Sequence, residues 1–417
     1  IDNLDGFYGV RDGLIPFLLS SLVQTNNVLY IAKNDLELSN IYNFFLENFQ
    51  NVNVYSIPAW DCLPYDISSP NFNIISERVK SFTKLSFFKV INNKNIILTT
   101  VNGLLIKTAP RNFYSSNFLN ITKHDINSLK YISNFLSKIG YTRVETVRES
   151  GEFGIRGSIL DLFPVGSSKA FRIDFIGDEI DSMKVMDPLT QRSSDLINNI
   201  DVYPSNEYLL DEKNIKNFRQ QFRLASGSES LKSHTYEKVS SGVKFQGIEH
   251  FLPLIHQSPL SSIFDFFYSD PKAVVVLAKN FFSLINKRYE EIENFVDERK
   301  FEKSDNSVVK VDDLYLSKQE LDEKLALYKT IELNEFDYLD NKTKKVINLY
   351  SKPLLIPNDP NLLNNNRISM FVKFCINQYL NNKKILIVTE DKSRLTNLIN
   401  FFDDDLKKHN INFNVIE

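Results

Sequence analysis

Between residues 27 and 110 the chain alternates short β-branched runs with amphipathic stretches, and this alternation limits the possible folds more than any other feature. "NVLYIAK" is followed by "LSNIYNFFLENF", then by "VNVYSI", "SERVKSFTKLSFF" and "NIILTTV". Strands taken in turn with helices form a mostly parallel sheet covered by helices, because parallel neighbours need a crossover and each helix must bury one stripe. An α/β body is therefore predicted, with residues 1–118 as its first part. At its start, "YGVRDGLIPFLLSSL" (residues 8–22) runs a glycine-bearing loop into an apolar helix. That is the layout of a phosphate-binding loop, which needs loop amides, a lysine against the phosphates and a hydroxyl on magnesium. Counting from Gly9, the lysine and hydroxyl positions hold Ile15 and Pro16; counting from Gly13, they hold Leu14 and Ile15. Neither register supplies the chemistry. "NIILTT" ends in Thr99 and Thr100 where an ATPase strand would end in an acidic pair.

A different texture begins near residue 119. "ITKHDINSLKYISNFLSKIGY" has Thr122 and Asp125 in a capping-box spacing, then Ile126, Leu129, Ile132, Leu136 and Ile139 at helical intervals before Gly140. "YTRVETV", "GEFGIRGSILDLFPVG", "KAFRIDFIGDEIDSMKVMD" and "NNIDVYP" follow as strands between turn residues, which predicts an antiparallel sheet and a small α+β domain over 119–204. Residues 205–316 return to mixed patterns, including "KAVVVLAKN" and "FSLINKRYEEIENFVDERKF", and read as completing the first body. The charged, weakly patterned segment 317–349 reads as a linker. Residues 350–417 read as a further α/β domain, cut short on "NFNVIE".

Composition bounds the functions open to such a chain. At 417 residues it holds roughly two to four domains. With 49 Lys+Arg against 52 Asp+Glu the net charge is −3, so no global basic field drives nucleic-acid binding. No apolar run approaches the ~20 residues that span a bilayer, and no membrane partner is expected. Two distant cysteines, Cys62 and Cys375, suit a reducing cytoplasm. The histidines (His124, His234, His250, His256, His409) lack metal-ligand spacing, and no nucleophile signature appears, so neither a metal site nor a catalytic residue is assigned. "ILIVTED" places Glu390 and Asp391 after an apolar strand, read as a polar loop. "PAWDCLPYD" (58–66), with the only tryptophan, reads as a packed surface loop.

Residues 151–181 are the most informative. Side chains alternate along a strand, so Phe153, Ile155 and Ile159, with Phe171, Ile173 and Phe175, are assigned to the core side. The opposite parity carries Glu152, Arg156 and Ser158 on one strand, and Arg172, Asp174 and Ile176 on the next. Two arginines beside an exposed isoleucine are ingredients of a protein interface, and equally of a solvated sheet face with cross-strand ion pairs. Three basic against six acidic side chains in this stretch disfavour DNA.

"GEFGIRGSILDLFPVGSSKAFRIDFIGDEIDSMKVMDPLTQRS" closely resembles the UvrA-binding domain of the bacterial transcription-repair coupling factor (Mfd) family, and more distantly that of the excision-repair protein UvrB. "PAWDCLPYDISSPNFNIISERVKSFTKL" and "GIEHFLPL…SPLSSIFDFF" are similar to two further segments of that family, so the resemblance covers nearly the whole chain. It implies the family's N-terminal UvrB-like part: a UvrB/RecA-like α/β body of domains 1a (1–118) and 1b (205–316) with a degenerate ATPase site, an inserted UvrA-binding domain 2 (119–204), and a truncated domain 3 (350–417). The loop at Gly9, Gly13, Leu14, Ile15 and Pro16 is then a relic of a nucleotide site. UvrA would be bound through Arg156 (in "IRG") and Arg172 (in "FRIDF"), with Asp174, Ile176 and Glu152 on the same face. Many relatives have a second phenylalanine where this chain has Ile176. In the family the C-terminal domain masks this face at rest. ATP and magnesium belong to motor domains beyond Glu417, where the parts that engage RNA polymerase and DNA also lie, so no cofactor is expected within residues 1–417. The alternatives are a UvrB-like ATPase acting on damaged DNA and an unrelated α/β enzyme. A cytoplasmic monomer is expected.

Overall fold

A computed structural model describes residues 4–87, 94–123, 128–227, 233–266, 272–301, 308–336, 345–349 and 364–381, with a few isolated positions. The chain divides into two units, Ile1–Tyr350 and Ser351–Glu417. In the first, β1 (Gly6–Tyr8), β2 (Val28–Ala32), β3 (Asn53–Ile57) and β4 (Asn95–Thr100) alternate with the helices Ile15–Leu22, Asp35–Asn48 and Phe72–Ser86. Each longer helix opens on an asparagine cap, Asn34 accepting from the Glu37 amide and Asn71 from the Asn73 amide. The chain then leaves this sheet for β5 (Leu119–Thr122), β6 (Thr142–Arg143), β7 (Glu152–Arg156), β8 (Ile159–Phe163), β9 (Ala170–Ile176), β10 (Glu179–Met186), β11 (Ser193–Leu196) and β12 (Asn199–Val202). It returns for β13 (Val274–Leu277), β14 (Lys329–Leu333) and β15 (Val346–Asn348).

Among the described residues the main sheet runs β15-β1-β14-β13-β2-β4-β3, every pairing parallel. Its central strands are buried on both faces, which is why "VLYIA", "VVVL" and the "IIL" of β4 read as continuous apolar runs. Alternate residues serve opposite layers. Val28, Tyr30, Ile96 and Leu98 pack with Leu19, Ile41 and Phe45, while Leu29, Ile31 and Ile97 pack with Val79, Phe82 and Ile292. From residues 205–316, β13 enters the same sheet and pairs with β2.

The linker assigned to 317–349 is corrected. Helix Lys318–Ala326 opens there on a capping box of Ser317 and Glu320, and β14 pairs with β13 and β1 inside the sheet. Its apolar signal is sparse because the helix buries only Leu321 and Leu325, and β14 alternates buried Ile331 and Leu333 with polar residues. The helix start at Thr122 is also corrected: Thr122 ends β5, and Ser128 caps helix Leu129–Lys138 by accepting from the Tyr131 amide at 3.2 Å. Asp125 and Ile126 lie outside the described residues.

The second sheet, β11-β10-β9-β8-β7-β6, is antiparallel except that β6 and β7 run parallel. β12 pairs instead with β5 in a two-stranded ribbon. Two glycines break what read as single strands. Gly157 (φ +61°) separates β7 from β8 and Gly177 (φ +65°) separates β9 from β10, a backbone region that L side chains rarely adopt. The inserted sheet docks on helix Phe72–Ser86 through Gly166, where a Cβ would lie 3.1 Å from Lys80. Beside it, Arg78 and Glu207, both fully buried, pair at 2.7 Å, and Arg78 also donates to the Pro58 carbonyl and lies against Trp60. "PAWDCLPYD" is thus packed into the body, with Trp60 and Tyr65 buried.

In the second unit, helix Asn364–Leu380 buries Val372, Cys375 and Ile376. Glu390, Asp391 and "NFNVIE" lie outside the described residues.

Candidate partner-binding face

The register of the inserted sheet builds one mixed face. β8 lies between β7 and β9, with Arg156 opposite Ile159 and Ile159 opposite Asp174; one step along, Gly154 faces Asp161 and Asp161 faces Arg172. Phe153, Leu160, Leu162, Ile173 and Phe175 point the other way into the core, with Ile155 and Phe171 partly buried beside them. Five of the six side chains assigned to the core are therefore there. Ile159 is not: the turn at Gly157 resets the alternation, so it sits on the outer face, half-buried between Arg156 and Asp174.

Asp161, which sequence reasoning passed over, organises that face. Its side chain is 3% exposed and accepts from Arg172 Nε at 2.6 Å and Nη2 at 2.9 Å, a two-pronged pairing that fits a guanidinium. Arg156 Nη2 adds a longer bond at 3.2 Å. Asp161 in turn holds the Arg172 guanidinium more firmly charged, burial opposing it. The 187–192 turn completes the enclosure. Gln191, at φ +60°, accepts from Arg156 through its side-chain oxygen and from Arg172 through its carbonyl, while its amide nitrogen donates to the Val147 and Pro188 carbonyls. The turn is itself fixed by Asp187, which accepts from the Leu189 and Thr190 amides, bonds that hold its carboxyl below its usual range.

The two arginines differ in consequence. Arg156 is 53% exposed and can turn to a partner; Arg172 is 20% exposed and serves mainly to hold Asp161. Asp174 accepts from Ser182 at 2.7 Å and Lys184 at 3.3 Å. Glu152 shares the parity, but its carboxylate is occupied by the Arg148 and Glu149 amides at 2.8 and 2.9 Å. Around the charged centre stand exposed Ile176, Leu189 and Leu196, at 71%, 89% and 68%. Charge enclosed by aliphatic side chains is the chemistry of a protein interface. The sequence signal for Asp161 was a lone carboxylate inside the apolar strand "ILDLF"; Leu189 and Leu196 lay in turn and edge segments with no alternation to read.

The loop at the start of the chain has the shape of a phosphate site and the wrong charge. Gly9 (φ +67°) leaves β1, a single helical turn spans Asp12–Leu14, and Ile15–Leu22 follows with Pro16 in its first turn. Ile15 is buried, and Gly13 has open space around it. Asp12 accepts from Lys33 at 3.0 Å and Lys279 at 2.5 Å, lysines that follow β2 and β13. The Lys279 bond holds the Asp12 carboxyl below its ordinary range. A phosphate approaching this loop meets a carboxylate that already neutralises the nearby ammonium groups. At the end of β4, Thr99 donates to the Ile57 carbonyl and Thr100 caps the next helix. Among the described residues no three His, Cys, Asp or Glu side chains are grouped to hold a metal, and no helix is long and apolar enough to cross a membrane.

Residues 119–208, which hold the inserted sheet, match the UvrB interaction domain family. The chain is similar to the transcription-repair-coupling factor of Haemophilus influenzae, 33% identical over 274 residues that make up 64% of this chain and 24% of that protein. It is also similar to the factor of Escherichia coli, 33% identical over 222 residues (53% and 19%), and to that of Rickettsia typhi, 34% identical over 286 residues (68% and 24%). The matches thus span about a quarter or less of these curated relatives.

Proposed function

We propose that this chain belongs with the transcription-repair-coupling factors it resembles and is a non-catalytic N-terminal module that recruits UvrA in transcription-coupled nucleotide excision repair. The observation that carries this is the face built on Asp161, within the residues that match a UvrB interaction domain. Arg156 and Ile176 are its contact residues, and Asp174 borders them. Arg172 acts through Asp161 as a positioning residue. Glu152 orders the adjacent turn instead of reaching a partner, since its carboxylate is committed to two amides. The body is the scaffold, a UvrB/RecA-like sheet whose nucleotide loop has lost its function; Asp12 supports this over a damage-recognition ATPase. In the whole protein, ATP- and magnesium-dependent translocation on DNA and displacement of RNA polymerase belong to sequence beyond Glu417, and the C-terminal domain masks the UvrA face at rest.

The test is co-purification of the chain with UvrA, run beside an ATPase assay of the chain alone. UvrA capture without ATP turnover supports the assignment. Magnesium-dependent hydrolysis would replace it with the UvrB-like ATPase, and failure to capture UvrA would remove the recruiting role.

A further inference from the structure

A cleft of about 290 Å³ opens where the inserted sheet meets the body, away from the Asp161 face. One wall is a single face of helix Phe72–Ser86. Ser76, Lys80 and Lys84 succeed one another at four-residue steps and so stack along it. The facing wall is made by turn residues of the inserted domain, Ser150, Ser167 and Ser168, and the tyrosines Tyr42 and Tyr55 border the cavity.

Three observations give this cleft a chemistry. Two ammonium groups enter it against one carboxylate, Glu77, so it carries net positive charge in a protein of net charge −3. Lys80 donates to the Gly166 carbonyl at 2.9 Å, and burial first, then the like charge of Lys84, draw its pKa down, against Glu77 and Asp201. A fixed anion between the two lysines would offset their repulsion and favour the charged form of Lys80. Finally, Ser76 is 6% exposed, and its hydroxyl is buried without a hydrogen-bond partner among the described residues. A buried hydroxyl left unpaired is costly, and such exceptions mark an absent partner.

We propose that this cleft binds a small phosphate monoester, its dianion seated between Lys80 and Lys84 with the hydroxyls of Ser76 and Ser168 completing the oxygen contacts, and its organic part against Tyr42 and Tyr55. Lysine serves as a point charge for phosphate. The volume lies at the small end of ligand sites, which run from about 300 Å³ upward, and suits a mononucleotide-sized molecule. Because its walls come from the body and the inserted domain, the bound ligand would fasten one to the other.

The site is independent of UvrA recruitment and is tested without UvrA. Inorganic phosphate, adenosine monophosphate, adenosine and a 5′-phosphorylated oligonucleotide are titrated calorimetrically into the full chain. The expected result is saturable binding of inorganic phosphate, tighter binding of adenosine monophosphate, and none of adenosine. Lys84→Gln, whose side chain lies on the exposed edge of the helix, and Ser76→Ala should each weaken both ligands by about tenfold or more, with circular dichroism unchanged. Lys80→Gln should do the same and also lower the melting temperature through the lost Gly166 bond. No saturation by either phosphate, equal binding of adenosine, or wild-type affinity in folded Lys84→Gln and Ser76→Ala would overturn the proposal. So would preferential binding of the oligonucleotide, which would make the cleft a nucleic-acid contact.

Discussion

Arg156 and Arg172 stand on one face and share one carboxylate, yet their removal should have very different effects on the fold. Asp161 is 3% exposed, and two of its three arginine bonds come from Arg172. Removing one partner of a buried ion pair costs ~3–5 kcal/mol, because the other charge is left without compensation. Here the one-fifth exposure of Arg172 and the remaining Arg156 bond reduce that, so Arg172→Ala should destabilise the inserted sheet by about 2–4 kcal/mol. Arg156 is more than half exposed and contributes a single 3.2 Å bond, the regime in which ion pairs are worth about 1 kcal/mol or less. Tryptophan fluorescence cannot read this difference, because Trp60 lies in the body. Native-state hydrogen exchange of the β8 and β9 amides can. At about 1.4 kcal/mol per factor of ten, Arg172→Ala should speed their exchange roughly 30- to 700-fold and Arg156→Ala by no more than about fivefold. Replacing Asp161 and Arg172 together by alanine should recover much of the loss, since no buried charge remains. Equal exchange in the two arginine variants would refute the assignment of Asp161 as the organising charge.

The nucleotide loop should be silent: titration of magnesium-ATP should give no heat, and saturable micromolar binding would show that Asp12 does not block it. Duplex DNA should bind weakly, with a shallow dependence on salt; a log–log slope of several units would reveal a basic patch that net charge −3 conceals. Burial pushes the His256 imidazole down to about 4, and its neutral ring donates from Nε2 to the Glu207 carbonyl. The unfolded histidine takes a proton near pH ~6.5 that the folded one refuses, so this contribution is full above that pH and lost as pH falls toward 4, a swing of about 3 kcal/mol. Urea midpoints across that window should fall more steeply for the wild type than for His256→Gln; parallel curves would contradict it.

Where apolar runs were unbroken, the sequence carried the structure. The parallel sheet was legible because "VLYIA" and "VVVL" are buried on both faces and leave no alternation to misread. The glycines that close two hairpins are present in the sequence, but a strand continued through Gly157 puts Ile159 on the wrong face. Helix Lys318–Ala326 and β14 escaped because each shows the core only two apolar side chains. At the candidate site, parity alone placed Arg156, Arg172, Asp174 and Ile176 together. Parity does not report burial. Nothing in "ILDLF" said that Asp161 would be nearly inaccessible, or that Gln191, some thirty residues away, would fold over both arginines. Those facts arise from tertiary packing.

Recruitment of UvrA is the central claim, and Arg156 is the residue that isolates it, because its loss leaves Asp161 paired with Arg172. Purified UvrA should be titrated against the wild-type chain, Arg156→Ala and Ile176→Ala, with hydrogen exchange confirming an intact sheet. Truncating one side of a charge pair that becomes buried in an interface costs about 2–5 kcal/mol, or roughly a 30- to 3,000-fold loss of affinity. Arg156→Ala should fall in that range, and Ile176→Ala, which removes apolar area alone, should cost on the order of 1 kcal/mol. Binding of UvrA by the folded Arg156→Ala chain within about threefold of wild type, less than 1 kcal/mol, would mean that this face is an ordinary solvated sheet surface.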